Sequence, residues 1–303
     1  MINGKILVAA AIAAVACLGL ADAENFNSAN EPEKPVKATV TVDFAKAVGR
    51  VKPMNAVNNG PEGRGGTFRR SNVEAYRAAN IPFARTHDSS EYIVYGGDHV
   101  VDVSAIFRDF DADENDSKNY DFTVTDAYMN LIRSVGTEPF YRLGQRIEHA
   151  VKRYNVFPPK DYAKWARICE HIIRHYNEGW ANGFRHGIRY WEIWNEPDID
   201  WGRPNDPHMW GGTPEQFFEF FEVAAKHLKA KFPSLRIGGP AIAGNVKWGE
   251  NFLRYQHEHG TPMDFFSWHI YAREPEAMAR KARVFRDLMA KYGYGGSESI
   301  LNE

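Results

Sequence analysis

The most informative stretch of the chain is Tyr190-Trp-Glu-Ile-Trp-Asn-Glu-Pro-Asp198. Its aromatic and aliphatic side chains predict a buried β-strand. Pro197 lacks the backbone N–H that a central strand needs, so the strand ends before it and Glu196 lies at its carboxyl end. A carboxyl group walled by tryptophan there is partly removed from water. We expect this to raise its pKa, which suits a general acid near neutral pH.

Outward from this strand, short apolar runs alternate with helical patterns along the chain. This alternation predicts parallel strands joined by crossover helices. The apolar runs lie near 54–57, 82–86, 137–143, 187–194, 235–238, 264–270 and 299–302, and the helical patterns near 71–79, 123–134, 160–177, 213–231, 247–258 and 275–292. We expect a capping box at Ser71 with Glu74, and a helix that Thr213 caps with Pro214 at its first position.

The expected fold is α/β, a (β/α)8 TIM barrel over residues 51–303 that is truncated after strand 7. The glycines between 60 and 66 lack the spacing of a phosphate-binding G-x-G-x-x-G loop, which disfavours a Rossmann fold. A barrel of roughly 250 residues fits the length. Because the seventh strand ends at Glu303, we expect these residues to be a fragment of a longer protein that aggregates or is inactive by itself.

The composition is that of a globular protein, with 44% hydrophobic and 25% charged residues among 303. Lys and Arg number 37 and Asp and Glu 39, so no excess of positive charge indicates nucleic acid or an anionic membrane surface as a partner. Aromatic residues make up 14%, which fits a ligand with flat faces such as a sugar, although a large core also takes up aromatics. The sequence indicates no oligomeric state.

The N-terminus reads as a secretory signal peptide over residues 1–23. Lys5 supplies its positive charge, Ile6–Leu20 form an apolar run too short to span a bilayer comfortably, and Ala21-Asp-Ala23 is a cleavage site. A membrane anchor is the alternative. We therefore expect a secreted or periplasmic protein with no membrane contact after cleavage. Residues 24–36 read as a linker, and 37–50, with their alternating TVTVDF run, as an accessory β segment.

Two carboxylates that flank one bond are the machinery of glycoside hydrolysis, so a second carboxylate near Glu196 would indicate that chemistry. Ser297-Glu-Ser-Ile-Leu-Asn-Glu303 is a further short strand that ends in Glu. Strands 4 and 7 of a barrel lie across its mouth from each other, so Glu196 and Glu303 can converge on one bond. Glu138, Glu148 and Glu192 are alternative carboxylates, of which Glu192, two residues inside strand 4, is expected to pack or pair with an arginine in the barrel interior.

Several of these segments together resemble the clan A glycoside hydrolases. WEIWNEP (191–197) is similar to the acid/base motif on strand 4 of that clan, and ILNE (300–303) to the strand of its nucleophile. Within the clan, the chain best resembles glycoside hydrolase family 39. TVTVDF (39–44), FARTHD (83–88) and SWHIY (267–271) support this match.

The resemblance implies a retaining enzyme with a two-carboxylate mechanism and no metal or other cofactor. Glu196 would be the acid/base and Glu303 the nucleophile. Family members include exo-acting β-xylosidases and α-L-iduronidases, in which a β-sandwich accompanies the barrel. The expected sugar-binding or supporting side chains lie at the ends of strands 2, 4 and 6: Arg85, His87, Asn195, His269 and Tyr271. Two alternatives stay open: an endo-acting clan A glycanase, and a barrel that binds carbohydrate without cleaving it.

Several other residues allow two interpretations, one in which they bind the ligand and one in which they have only a structural role. Trp201 and Trp210, in the loop after strand 4, either stack on a sugar ring or pack within the loop. Arg142, Arg146 and Arg273 would suit the carboxylate of a uronic acid, but arginines also line sites for neutral sugars.

Three side chains of the helical pattern at 160–177 are expected to have no chemical role. Cys169, the one cysteine outside the signal peptide, is expected to be a small buried hydrophobic residue. His171 and His175 are four residues apart, but the glutamate of an HExxH zinc motif is missing. We therefore expect both histidines on a solvated helix face.

Overall fold

The structure is a computed structural model, and it describes residues 54–63, 71–87, 100–148, 151–203 and 205–303, with a few single positions between 39 and 49. The chain divides into two units, Met1–Val51 and Lys52–Glu303. The predicted signal peptide 1–23 and linker 24–36 lie outside the described residues, as does most of the predicted accessory segment 37–50. Within that segment, backbone N–H groups of Ala45 and Lys46 hydrogen-bond to Asp43.

The second unit alternates strands and helices. Within the described residues the strands are β1 (Val57–Asn58), β2 (Phe83–Arg85), β3 (Glu138–Leu143), β4 (Tyr190–Ile193), β5 (Arg236–Ile242), β6 (Phe265–Trp268) and β7 (Glu298–Leu301). The α-helices are α1 (Val73–Ala79), α2 (Val103–Ile106), α3 (Thr123–Ser134), α4 (Tyr162–Asn177), α5 (Pro214–Lys231), α6 (Val246–Glu258) and α7 (Pro275–Lys291). Short 3₁₀ turns lie at Ser117–Asn119 and Trp180–Asn182.

The strands form one sheet in sequence order, β1 to β7, and each neighbouring pair is parallel. This is the strand order of a (β/α)8 barrel through its seventh strand, and it confirms the expected fold class. The carboxyl ends of all seven strands lie at one edge of the sheet. Residues that follow these strands therefore meet at a common mouth.

Side chains on the inner face show that the sheet curls on itself. The ring of Tyr190 on β4 packs against Phe83 of β2, Phe140 of β3 and Phe265 of β6, with centroids 5.2–5.8 Å apart. Its hydroxyl donates to Glu298 of β7 at 3.1 Å. One side chain thus contacts residues from both halves of the sheet, so the interior near the amino ends of the strands is filled, as in a barrel.

The helices cover the outer face through a mainly apolar layer. Alternate residues of the strands point outward, and Tyr141 of β3 stacks on Trp191 of β4 and contacts Tyr176 of α4. Helices α4, α5 and α6 contribute an aromatic and aliphatic layer, of which the fully buried members include Ile172, Phe217, Phe220, Phe221 and Phe252. Cys169 is buried in the same layer, as expected, and burial raises the pKa of its thiol well above the usual value.

The observed boundaries mostly match the predicted ones, and three local expectations are wrong. Helix α1 begins at Val73 after Asn72, so Ser71 caps no box with Glu74. Strand β4 ends at Ile193, before Trp194 turns into the left-handed region with φ 73°. His175 is not solvated: it is buried and hydrogen-bonds to Asp126 and to the carbonyl of Trp180.

Other boundary signals are confirmed. Thr213 accepts from the backbone N–H of Gln216, whose side chain accepts in return from the N–H of Thr213, and Pro214 begins α5. Within the part of the chain that the structure describes, no helix is both long and apolar enough to cross a membrane.

Candidate active site

The segment after β4 leaves the sheet through an unusual backbone path. Trp194 has φ 73° and Glu196 has φ 44°, both in the left-handed region that side chains other than glycine rarely adopt. Gly144, which follows β3 and has φ 140°, makes room for this path, because a Cβ there would lie 2.9 Å from the Cα of Trp194. Strain of this kind is maintained only where the surroundings enforce it, and it is typical of functional sites.

Two carboxylates meet at the mouth of the barrel. Glu196 follows β4 and Glu303 follows β7, and His269 follows β6 between them. The Nδ1 of His269 lies 2.8 Å from Oε1 of Glu196 and 3.6 Å from Oε2 of Glu303. One carboxylate oxygen of each glutamate and this nitrogen all lie within 4.8 Å of one another. The structure therefore brings the two predicted catalytic carboxylates together.

His269 is a neutral group at physiological pH. Burial is the main cause that lowers the pKa of its imidazole to about 4, and the nearby guanidinium of Arg85 lowers it further. A neutral imidazole carries one proton, and with that proton assigned to Nδ1 it donates to Glu196. His269 therefore orients the carboxyl group of Glu196 without adding a positive charge.

Arg85 links the two halves of the mouth. On β2, its Nε donates to Oε2 of Glu192 at 2.6 Å and its Nη2 to Oδ1 of Asn195 at 2.5 Å. Its Nη1 lies 3.3 Å from both Oδ1 of Asn58 and Oε2 of Glu303. A cation fixed by four partners holds the strand ends in register and contacts the carboxylate of Glu303 directly.

Glu303 has further partners on strands 2 and 6. The hydroxyl of Tyr271 donates to its Oε1 at 2.5 Å, and Nε2 of His87 lies 3.4 Å from its Oε2. The Tyr271 side chain is largely exposed, at 80%, whereas His87 is buried. The family resemblance implied that both side chains support the site, and the structure places both beside Glu303. The roles assigned to them stay predictions.

Asn195 and the two loop tryptophans occupy different environments. Asn195 is fully buried, and because Arg85 occupies its Oδ1, the amide Nδ2 is held as a donor that has no hydrogen-bond partner among the described residues. Trp201 is 44% exposed, so part of its side chain is open to solvent. Trp210 is buried, and its indole donates to the carbonyl of Thr213. Of the two interpretations, packing within the loop therefore fits Trp210.

The alternative carboxylates have structural partners. Glu192 pairs with Arg85 in the interior, as expected, and also accepts from Nδ2 of Asn302 at 2.7 Å. Glu138 lies at the amino end of β3, the end opposite the site, and pairs with Arg189. Glu148 is buried in the loop after β3.

The arginines proposed for a uronic acid are also accounted for. Arg142 is buried and donates to Asp102 at 2.7 Å and to the carbonyl of His87. Arg146 lies 3.8 Å from Glu148. Arg273 is exposed at the start of the loop that leads to α7. Two of these three arginines, Arg142 and Arg146, thus lie beside acidic side chains of the protein itself.

The donor set at the mouth bears on metal binding. Glu196, His269 and Glu303 are the group that, among the described residues, could together ligate a cation. Ligation through Nδ1 would require the atom that hydrogen-bonds to Glu196 to give up its proton. The observed 2.8 Å contact is an ordinary hydrogen-bond distance, which a donating Nδ1–H accounts for.

Sequence reasoning missed two carboxylates in the segment after the motif. Asp198 accepts from the backbone N–H groups of residues 243, 244 and 245 at 2.7–3.1 Å. Asp200 accepts from those of residues 208, 209 and 210 at 2.5–2.9 Å. Both side chains are buried. The alternation of acidic and other residues after Pro197 was the available signal, but its partners lie in loops far along the chain.

Comparison with known proteins bears on the chemistry of this site. A family model described as glycosyl hydrolases family 39 matches residues 38–297. The chain is 30% identical over 185 residues to a β-xylosidase of Geobacillus stearothermophilus, a match that covers 56% of the chain and 34% of that protein. It is 29% identical over 212 residues to a β-xylosidase of Caldicellulosiruptor saccharolyticus, covering 64% of the chain and 41% of that protein.

A solved structure of a glucosidase from Croceicoccus marinus superposes with a TM-score of 0.72 and 28% identity. The match covers 84% of the chain and 52% of that structure. The chain thus spans about half or less of the length of the relatives that it matches.

Proposed function

Because the chain belongs to glycosyl hydrolase family 39, we propose that it carries the catalytic residues of a retaining, exo-acting glycosidase of the β-xylosidase type. The observation that carries the proposal is the cluster of Glu196, His269 and Glu303, in which one carboxylate oxygen of Glu196 lies within 4.8 Å of one carboxylate oxygen of Glu303. Retaining glycosidases hold their carboxyl groups about 5–5.5 Å apart and inverting ones about 6.5–9.5 Å. The observed spacing supports the retaining mechanism.

The contacts of the two carboxylates support different roles for them. Glu303 lies 3.3 Å from the guanidinium of Arg85 and accepts from the hydroxyl of Tyr271, and these two contacts would orient its carboxyl group for attack on carbon. Glu196 contacts the imidazole of His269, which adds no positive charge beside it. Pairs of carboxyl groups with such unlike surroundings divide into an acid and a nucleophile.

The proposed reaction has two steps. Glu196 gives its proton to the glycosidic oxygen as that bond breaks, while a carboxylate oxygen of Glu303 forms a bond to the anomeric carbon. Glu196, now a carboxylate, then takes a proton from water as the water oxygen attacks the same carbon and releases Glu303. The amide Nδ2 of Asn195, which has no hydrogen-bond partner among the described residues, would donate to a hydroxyl of the bound sugar.

The substrate class follows from the relatives and from the arginines. Both β-xylosidases named above support a β-xyloside. The pairing of Arg142 with Asp102 and the contact of Arg146 with Glu148 favour a neutral sugar over a uronic acid, because a substrate carboxylate would have to compete with these acidic groups. The similarity to the Croceicoccus marinus glucosidase makes a glucoside the second candidate.

A panel of aryl glycosides tests the proposal on the purified protein. We expect hydrolysis of aryl β-xyloside to exceed that of the glucoside, galactoside and iduronide, with first-formed xylose in the β configuration by proton NMR. Release of the α anomer first would contradict a retaining mechanism. Internal cleavage products from xylo-oligosaccharides would indicate the endo-acting alternative, and sugar binding without any hydrolysis would indicate a carbohydrate-binding barrel.

Replacement of Glu196 by alanine tests its role. We expect loss of activity on a phenyl glycoside, much smaller loss on a dinitrophenyl glycoside, and recovery with azide through a glycosyl azide product. Equal loss on both substrates without azide rescue would remove Glu196 from the acid/base role. Mass spectrometry of the protein after reaction with a 2-fluoro glycoside should find the label on Glu303.

A further inference from the structure

The backbone at Glu196 requires an explanation beyond its own side chain. Glu196 adopts φ 44° and its neighbour Trp194 φ 73°, so two residues within three depart from the ordinary regions. The N–H of Glu196 donates to the carbonyl of Ala241 at 2.9 Å, which ties the turn to β5. A single hydrogen bond of this kind does not determine such a conformation, so further restraints are expected nearby.

Asp198 supplies such a restraint. It lies two residues beyond Glu196, with the fixed φ of Pro197 between them. Its Oδ1 accepts from the N–H of Ala243 at 2.7 Å, and its Oδ2 from those of Gly244 and Asn245 at 3.1 and 2.9 Å. Three successive N–H groups that converge on one buried carboxylate form an anion-binding concavity. The carboxylate therefore crosslinks the Glu196 turn to the loop between β5 and α6.

The same loop is connected to the other side of Glu196. Gly244, with φ 132°, lies against Lys281 of α7, whose Nζ donates to the backbone carbonyl of His269 at 3.0 Å. The imidazole of His269 in turn hydrogen-bonds to the carboxyl group of Glu196. Loop 243–245 thus has two connections to Glu196. It binds Asp198, which lies in the same turn as the backbone of Glu196, and it lies next to Lys281, which contacts the residue that holds the Glu196 side chain, His269.

We propose that Asp198 is a positioning residue that aims the carboxyl group of Glu196 at the leaving group, by clamping the turn after β4 onto the N–H groups of residues 243–245. The proposal rests on the proposed role of Glu196 as acid/base. Asp198 touches neither the sugar nor the reacting atoms in this scheme. It acts through the geometry of Glu196, and its loss should therefore affect the proton-transfer step above all.

Asp198→Asn is the sharpest perturbation, because it keeps the size of the side chain. Its NH₂ group must face at least one of the three backbone donors, so the crosslink opens. The experiment compares kcat/KM on two aryl glycosides of the same sugar, a dinitrophenyl glycoside that needs no protonation and a phenyl glycoside that does. We expect the loss on the phenyl substrate to exceed the loss on the dinitrophenyl substrate by about tenfold or more.

Asp264→Asn is the matched control. Asp264 also accepts from a backbone N–H, that of Ile237 at 2.9 Å, and pairs with Lys229, but it lies at the amino ends of β5 and β6, away from the mouth. We expect equal losses on both substrates for this variant. A purely structural Asp198 would behave like Asp264. Equal losses in Asp198→Asn would therefore overturn the proposal.

A second measurement separates this proposal from the proposed function. If the parent protein hydrolyses neither substrate, the function has failed, and amide hydrogen exchange then decides the role of Asp198. We expect Asp198→Asn to speed exchange in peptides that cover 194–199 and 243–245, and Asp264→Asn to leave both unchanged. Slow exchange at 194–199 in the Asp198 variant would overturn the clamp.

Should Asp198→Asn fail to fold, Asp198→Glu retains the charge but displaces the carboxylate by one methylene. It should give the same preference for the dinitrophenyl substrate with a smaller ratio. If the ratio of kcat/KM for the dinitrophenyl and phenyl substrates in Asp198→Glu equalled that of the parent protein, the proposal would be wrong.

Discussion

Replacing Arg85 by methionine tests how much the buried ion pair at the barrel mouth contributes to the free energy of unfolding. The Arg85 and Glu192 side chains are 3% and 0% exposed, and their atoms lie 2.6 Å apart. Without the guanidinium, Glu192 is a buried carboxylate with no cation, and breaking such a pair costs about 3–5 kcal/mol. Asn195 and Glu303 lose a donor as well. We expect the free energy of unfolding to fall by about 4 kcal/mol.

Urea unfolding of the single and double variants separates this pair from its surroundings. In Glu192→Gln the amide oxygen can still accept from Asn302, whose Nδ2 lies 2.7 Å from the native carboxylate. Combined with Arg85→Met, this change removes the buried charge that the single variant leaves behind. The double variant should therefore recover part of the loss, with a coupling free energy of about 2 kcal/mol or more.

Arg189→Met is the control for loss of a paired arginine. Arg189 makes a two-pronged contact with Glu138 on the surface, where its own side chain is 59% exposed. Surface pairs contribute about 0–1 kcal/mol, so this variant should lose no more than that. The reasoning is refuted if Arg85→Met costs no more than Arg189→Met, or if the effects of Arg85→Met and Glu192→Gln add within about 0.5 kcal/mol.

Three further predictions concern the groups around the two carboxylates. The pKa of His269 is lowered to about 4 in the folded protein from about 6.5 in the unfolded chain, so the unfolded chain takes up the proton first as pH drops. The free energy of unfolding should therefore fall by up to about 3 kcal/mol between pH 6.5 and pH 4. His269→Gln should flatten this part of the pH dependence measured by urea unfolding, and an unchanged profile would contradict the assignment. Tyr271→Phe removes a donor to Glu303 at an exposed position, so kcat should fall by about tenfold with little change in Tm, and unchanged kinetics would show that the bond contributes nothing. Trp201→Ala should raise KM for xylo-oligosaccharides a few-fold while sparing aryl xylosides, as expected for a stacking contact of about 0.5–1.5 kcal/mol, and equal effects on both would contradict stacking beyond the reacting sugar.

The barrel could be predicted because its signals are local. Helix α3 was predicted over 123–134, the range in which it forms, and Pro214 begins α5 after the cap at Thr213, because periodicity and capping depend on neighbours in the chain. The position of Glu196 at the mouth followed from the apolar strand pattern before it and from Pro197 after it. Family resemblance added the partner carboxylate Glu303, which the residues by themselves indicate only weakly.

The missed features depend on contacts between distant segments. The burial of His175 requires Asp126 and the carbonyl of Trp180 beside it, and no periodicity reveals a hydrogen bond between two helices. The early end of β4 at Ile193 results from the left-handed turn at Trp194, which fits against Gly144 of a different loop. Asp198 was overlooked for the same reason, since its three donors lie more than forty residues further on.

The contacts that assemble the site also hold the last strand of the sheet in place. Glu303 is reached by Arg85 of β2, from 218 positions away in the chain, and by Tyr271 beyond β6, while its own backbone carbonyl accepts from the N–H of Ile270. The contacts that would orient the nucleophile are thus the same ones that hold the end of β7 against the mouth. A substitution that weakens them should lower activity and the local stability of β7 together. Changes to the aromatic packing around Tyr190, at the other end of the barrel, should lower stability alone.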